Sequence, residues 1–160
     1  MIDVLSSLVL AVWVLLGASP QHIQAIFPVS RAIAGAISED LANPPVLGSH
    51  LEDAVAMAEW AFLESGVDEN PVPRSWDAKD LVSCGIWQEP CTFVRASSVR
   101  AQARYWLRLA HEGSRNCPES PLAPLSGGCN NARTMADHRV ARSRHLVTRI
   151  LSPDLDVTSE

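Results

Sequence analysis

The chain has 160 residues, 13 Lys and Arg against 18 Asp and Glu, and a 47% apolar composition. That is the length of one domain, able to bury roughly 70% of the surface its unfolded form exposes, and it excludes a chain without a real core. The net charge of -5 gives no overall attraction to nucleic acid, so any such pull must come from a local patch.

The charges are segregated. Residues 1–94 hold Arg31, Arg74 and Lys79 against about a dozen acids, whereas the stretch from Arg95 to Arg149 is dominated by arginine, opposed by Glu112, Glu119 and Asp137. A basic face of that kind can meet nucleic acid, acidic lipid or an acidic polymer such as cell-wall glycan, or can simply solubilise exposed helices.

From the N-terminus, Val4 to Leu16 is an almost unbroken apolar run, shorter than the ~20 residues a membrane span needs. It is also irregular as an export signal, since Asp3 stands where positive charge is expected. Three readings stay open for residues 1–19: a signal, an uncleaved anchor that would tether the chain to a membrane, or a buried helix. Pro20 to Leu41 predicts a helix with a broad apolar stripe, bent or divided at Pro28 and ended by Asn43-Pro44-Pro45. Ser49-His50-Leu51-Glu52 carries the capping-box pattern. The helix it opens runs to Leu63, with an apolar, small-residue face from Leu51 to Phe62, and Gly66 suits its stop.

Asp68 to Pro73 reads as an exposed loop. Arg74 to Gln88 reads as loop, a short helix near residues 77–82, and a turn through Gly85. Ser97 or Ser98 can cap a helix to about Glu112, with Trp106 on its packed side and Arg100, Arg104 and Arg108 on another. Gly113 to Gly128 is a long proline-punctuated loop. Asn130 or Asn131 caps a last helix ending at Ser152-Pro153, and residues 153–160 form an acidic tail. No strand run emerges, so the fold is mostly α, with residues 20–152 as its helical domain.

Four cysteines fall in two local pairs, Cys84 with Cys91 and Cys117 with Cys129, each in Pro-, Gly- and Ser-rich sequence. Read as two disulfides, they pin loops and imply an oxidising compartment; four reduced thiols are the cytosolic alternative. No C-x2-C or H-x3-H spacing supports zinc, and no metal or other cofactor is expected.

A carboxylate closing an apolar helix, Glu64-Ser65-Gly66, followed by Ser83-Cys84-Gly85-Ile86-Trp87-Gln88 and then by Asn130-Asn131-Ala132 opening a helix, resembles the lysozyme-like superfamily, within it the soluble lytic transglycosylases and goose-type lysozymes. The likeness covers roughly residues 45 to 150. It departs at the third motif, where Cys129 replaces a Tyr and no Gly follows, and the loop between the first two motifs is longer than usual.

The resemblance implies a lysozyme-like helical domain with a central buried helix ending at Glu64. It implies cleavage of peptidoglycan glycan strands by an extracytoplasmic protein, secreted, periplasmic or membrane-anchored, or one carried on a phage particle. Glu64 would be the catalytic acid, Ser83 and Gln88 would line the sugar subsite, and Asn130 would help hold the acetylated sugar or position Glu64. The same Glu would then act as base on the sugar's own C6 hydroxyl; if instead a second carboxylate serves, Asp77 or Asp80 is nearest in sequence.

Read from the residues alone, a Glu at an apolar helix end beside Phe62, Trp76 and Trp87 has surroundings that disfavour its charged form, as proton donation near neutral pH requires. Trp87 is expected on the cleft wall, where an indole face stacks on sugar, and Trp106 in the core. His111, His138 and His145 read as surface or packing residues. Two other functions compete: an inactive wall-binding or structural module of a secretion apparatus or virion, and a membrane-associated or nucleic-acid-binding protein using the arginine-rich half, of which the nucleic-acid reading is the weakest.

Overall fold

A computed structural model describes residues 1–67, 83–126, 128–129 and 133–152. The described residues form α1 (Ile2–Leu15), α2 (Pro20–Asp40), α3 (His50–Ser65), β1 (Ser83–Cys84), β2 (Glu89–Pro90), α4 (Cys91–Val94), α5 (Val99–Asn116), a 3-10 turn (Ala123–Ser126) and α6 (Arg133–Leu151). The fold is mostly helical, as the sequence predicts.

The apolar run of α1 forms a helix packed into the core. Leu5, Leu8, Val9, Val12 and Trp13 are buried, and the Trp13 indole N–H donates to the Ala58 carbonyl at 3.0 Å. No helix among the described residues is long and apolar enough to cross a membrane. Ser19 then caps α2 by accepting from the His22 amide, with Pro20 in the first helical position where its missing N–H costs nothing. Pro28 lies inside α2, which continues as one helix rather than dividing there.

The small-residue face of α3 does what its composition predicts. Residues Asp53 to Ala61 are all buried, and the helix packs against α1, α2 and α6. Only half of the capping box forms. The Ser49 hydroxyl accepts from the Glu52 amide at 3.1 Å, but one Glu52 oxygen is buried without a hydrogen bond and lies 3.8 Å from Arg144 Nε. The buried Asp53 supplies the missing order at this end, accepting the Val46 and Leu47 amides at 2.9 Å each. At the other end Gly66 is left-handed, with φ 65°, and closes the helix.

Between α3 and α5 the structure places an element the sequence reading missed. Ser83 pairs with Pro90 and Cys84 with Glu89 in an antiparallel hairpin. Two-residue strands are too short to leave an alternating pattern, so only the turn through Gly85 was visible in the sequence. Both disulfides join the cysteines paired from sequence, Cys84 with Cys91 and Cys117 with Cys129. The second closes a loop that folds back onto α5 so tightly that a Cβ at Gly113 would meet the Pro121 carbonyl oxygen at 1.9 Å; only glycine fits there. Trp106 is in the core, as expected, edge-on to Trp60 at 6.2 Å.

Candidate functional site at the end of helix α3

The helix end carrying Glu64 and the hairpin turn are tied together by one side chain. Ser65 Oγ lies 2.8 Å from the Ile86 carbonyl oxygen and 3.0 Å from that of Ala61, and it accepts the Val67 amide at 3.1 Å. Behind it, His22 Nε2 is 2.6 Å from the Gly66 carbonyl; a carbonyl only accepts, so this nitrogen carries a proton. Val67 and Gln88 are the two non-glycine residues with positive φ among those described, at 63° and 55°. A β-branched residue in that region stores strain of about 1–3 kcal/mol, and such strain concentrates at functional sites. Both outliers adjoin this junction.

Glu64 itself is mostly covered, its side chain 19% exposed, and α6 supplies its partner: Arg139 Nη2 donates to Oε1 at 2.7 Å. The same guanidinium lies 4.0 Å over the ring of Trp60, which sits one turn before Glu64 and therefore on the same face of α3. Arg139 Nη1 is buried without a hydrogen bond. Farther along the α3–α6 seam, the fully buried Glu59 accepts from Ser143 Oγ at 2.5 Å and faces Arg142 Nε at 3.3 Å. Burial pushes the Glu59 carboxyl up, against the opposing pull of Ser143 and the two arginines.

The hairpin holds a third acid. Glu89 is 5% exposed, and neither carboxylate oxygen has a hydrogen-bond partner among the described residues. Desolvation alone pushes it up to about 8, so at neutral pH it is largely protonated.

Not every predicted site residue stands where the sequence placed it. Trp87 does not face a cleft: it is 3% exposed and its indole N–H donates to the Met57 carbonyl at 3.0 Å. Burying the ring against the middle of α3, with its N–H satisfied, leaves no face for a sugar. The Gln88 side-chain amide donates to the Gly85 carbonyl at 3.1 Å and so braces its own turn. Ser83 is half-buried in β1. Asn130, Asp77, Asp80 and Trp76 lie outside the described residues, as do the predicted short helix and the acidic tail.

No family model, curated protein or solved structure matches this chain. The site therefore stands on its own chemistry. Among the described residues no three His, Cys, Asp or Glu side chains cluster as a metal site would require. What the junction does offer is proton chemistry: one carboxylate held by a guanidinium at a helix end, and one carboxyl kept neutral in the adjoining hairpin.

Sequence reasoning missed Arg139, Glu59 and Glu89. Glu59 had a signal, a lone charge within the apolar stretch Ala54 to Phe62. Arg139 had none, since one arginine among many on α6 gives no hint of its partner. Glu89 is hidden because its burial depends on the hairpin.

Proposed function

We propose that this is a lysozyme-like protein acting on the glycan strands of peptidoglycan outside the cytoplasm, with Glu64 as its general acid and base. The observation that carries the reading is the Ser65 hydroxyl joining the Glu64 helix end to the Ile86 carbonyl, which brings two sequence motifs, 17 residues apart from Gly66 to Ser83, into one junction. The two disulfides agree with an oxidising, extracytoplasmic setting.

In this reading the glycan enters beside Glu64, which gives a proton to the leaving oxygen as positive charge grows on the sugar ring. It then withdraws one from the C6 hydroxyl or from water. Because Arg139 holds the carboxylate in the free protein, donation requires that contact to loosen as the glycan binds. Ser83 and Gln88 border the same turn as candidate sugar contacts, Asn130 stays a candidate from the motif, and Asp77 stays the candidate second carboxylate if water is the nucleophile. No cofactor enters this chemistry.

A specific observation favours a second reading. The Glu64–Arg139 pair and the buried Trp87 are what a wall-binding or structural module with idle acid would retain. Turbidity loss of purified cell walls separates the two. Activity in the wild type that falls at least a hundredfold in Glu64→Gln supports catalysis, whereas pelleting with peptidoglycan without clearing it supports the binding module.

A further inference from the structure

The basic stripe of α5, made of Arg100, Arg104, Arg108, His111 and Arg115, faces the C-terminal end of α2. The first two arginines are spent: both donate to Glu39, Arg104 through Nη2 at 2.8 Å as well as through Nε. The Arg104 hydrogen bond is the chief reason the Glu39 carboxyl lies below its usual range. The rest of the stripe opens on a groove of about 550 Å³.

That groove has three kinds of lining. Pro44 gives it exposed apolar surface, backed by the buried Ala36 and Leu107. The Asp40 carboxylate, 12% exposed, is fixed from two sides, by His111 Nε2 at 2.8 Å and by the Asn43 amide at 2.8 Å. Arg108 and Arg115, two turns apart on one face of α5, bring positive charge to the rim. Arg108 lies 4.8 Å over the Tyr105 ring and 4.0 Å from Glu112, with no shorter ion pair, and Arg115 has no ion-pair partner among the described residues.

We propose that this groove binds a phosphorylated saccharide. Guanidinium groups that lack a close carboxylate recognise phosphate oxygens through charge-assisted hydrogen bonds. A dianion competes for them better than the single carboxylates already nearby. The pinned Asp40–His111–Asn43 group offers hydrogen bonding of the kind sugar hydroxyls use, and the apolar patch suits a ring face. The volume holds a sugar phosphate and far exceeds a bare phosphate ion.

The test is titration calorimetry on the full chain with glucose 1-phosphate, glucose and inorganic phosphate as separate probes. Glucose 1-phosphate binds saturably and more tightly than either of the others, and the double variant Arg108→Gln/Arg115→Gln weakens it at least tenfold. Both arginines are exposed, and an unchanged circular-dichroism spectrum and thermal midpoint show that the variant is folded. Glu64→Gln binds as the wild type does, which separates this groove from glycan cleavage. Saturable binding of none of the probes overturns the proposal, as does equal affinity in the double variant. Phosphate binding as tightly as glucose 1-phosphate overturns the saccharide part.

Discussion

The α3–α6 seam and the 83–90 hairpin both bury acids, and they do so in opposite ways. Along the seam, Glu59 and Glu64 each meet an arginine from α6, and Glu59 a serine as well. In the hairpin Glu89 meets nothing polar among the described residues. Burying a carboxyl costs free energy that either a partner or a proton must offset. The seam offsets that cost with partners; the hairpin offsets it with a proton and so responds to pH.

The sharpest way to break this contrast is to replace Glu89 with glutamine, which imitates the protonated acid. An unfolded Glu titrates near ~4.3, whereas folded Glu89 titrates near 8, so between those values the folded state binds the extra proton. Stability tied to Glu89 is therefore complete below about pH 4.3 and is lost as pH rises toward 8. Glu89→Gln should match the wild type near pH 4 and exceed it by on the order of 3 kcal/mol at pH 8. Denaturant midpoints at the two pH values check it, and a wild type whose stability is flat between them would refute the unpartnered assignment.

Ser143→Ala sharpens the contrast from the other side. It takes the only well-aligned hydrogen bond from the buried Glu59 and makes the seam resemble the hairpin. A loss of about 2 kcal/mol is expected, smaller in acid, where Glu59 gains a proton. Chemical denaturation at pH 7 and pH 4.5 measures both.

Replacing Cys84 and Cys91 together by alanine releases the hairpin's short loop and should cost about 2 kcal/mol by loop entropy. It should also bring the Glu89 titration back toward the ordinary carboxylate range, which NMR of the side chain reads directly. Smallest is Ser65→Ala, about 1 kcal/mol; its signature is faster amide exchange in the hairpin with the α3–α6 seam unchanged.

The same contrast explains what the sequence made legible. Helical periodicity, Ser49, Gly66 and Ser98 mark α3 and α5 because those signals are local. The cysteine pairs are legible because each closes its own loop. Glu64 was visible as a helix-end acid, but its clamp by Arg139, 75 positions away, is a tertiary fact without a local trace. An indole beside a turn suits sugar, which is why the sequence points Trp87 to a cleft; the Met57 carbonyl of α3, which no periodicity reveals, takes its N–H instead. The apolar α1 was ambiguous for a related reason: a 14-residue run has the same composition whether it meets lipid or the faces of α2 and α3.

The most direct test of Glu64 as the group that breaks a glycosidic bond is mass spectrometry of soluble fragments released from purified peptidoglycan by the wild type and by Glu64→Gln. Muropeptides with new anhydro or reducing ends, one water apart in mass, released by the wild type and absent with the variant, are the predicted result. Equal release by both proteins, or no fragments from the wild type while it remains bound to the wall, would contradict it.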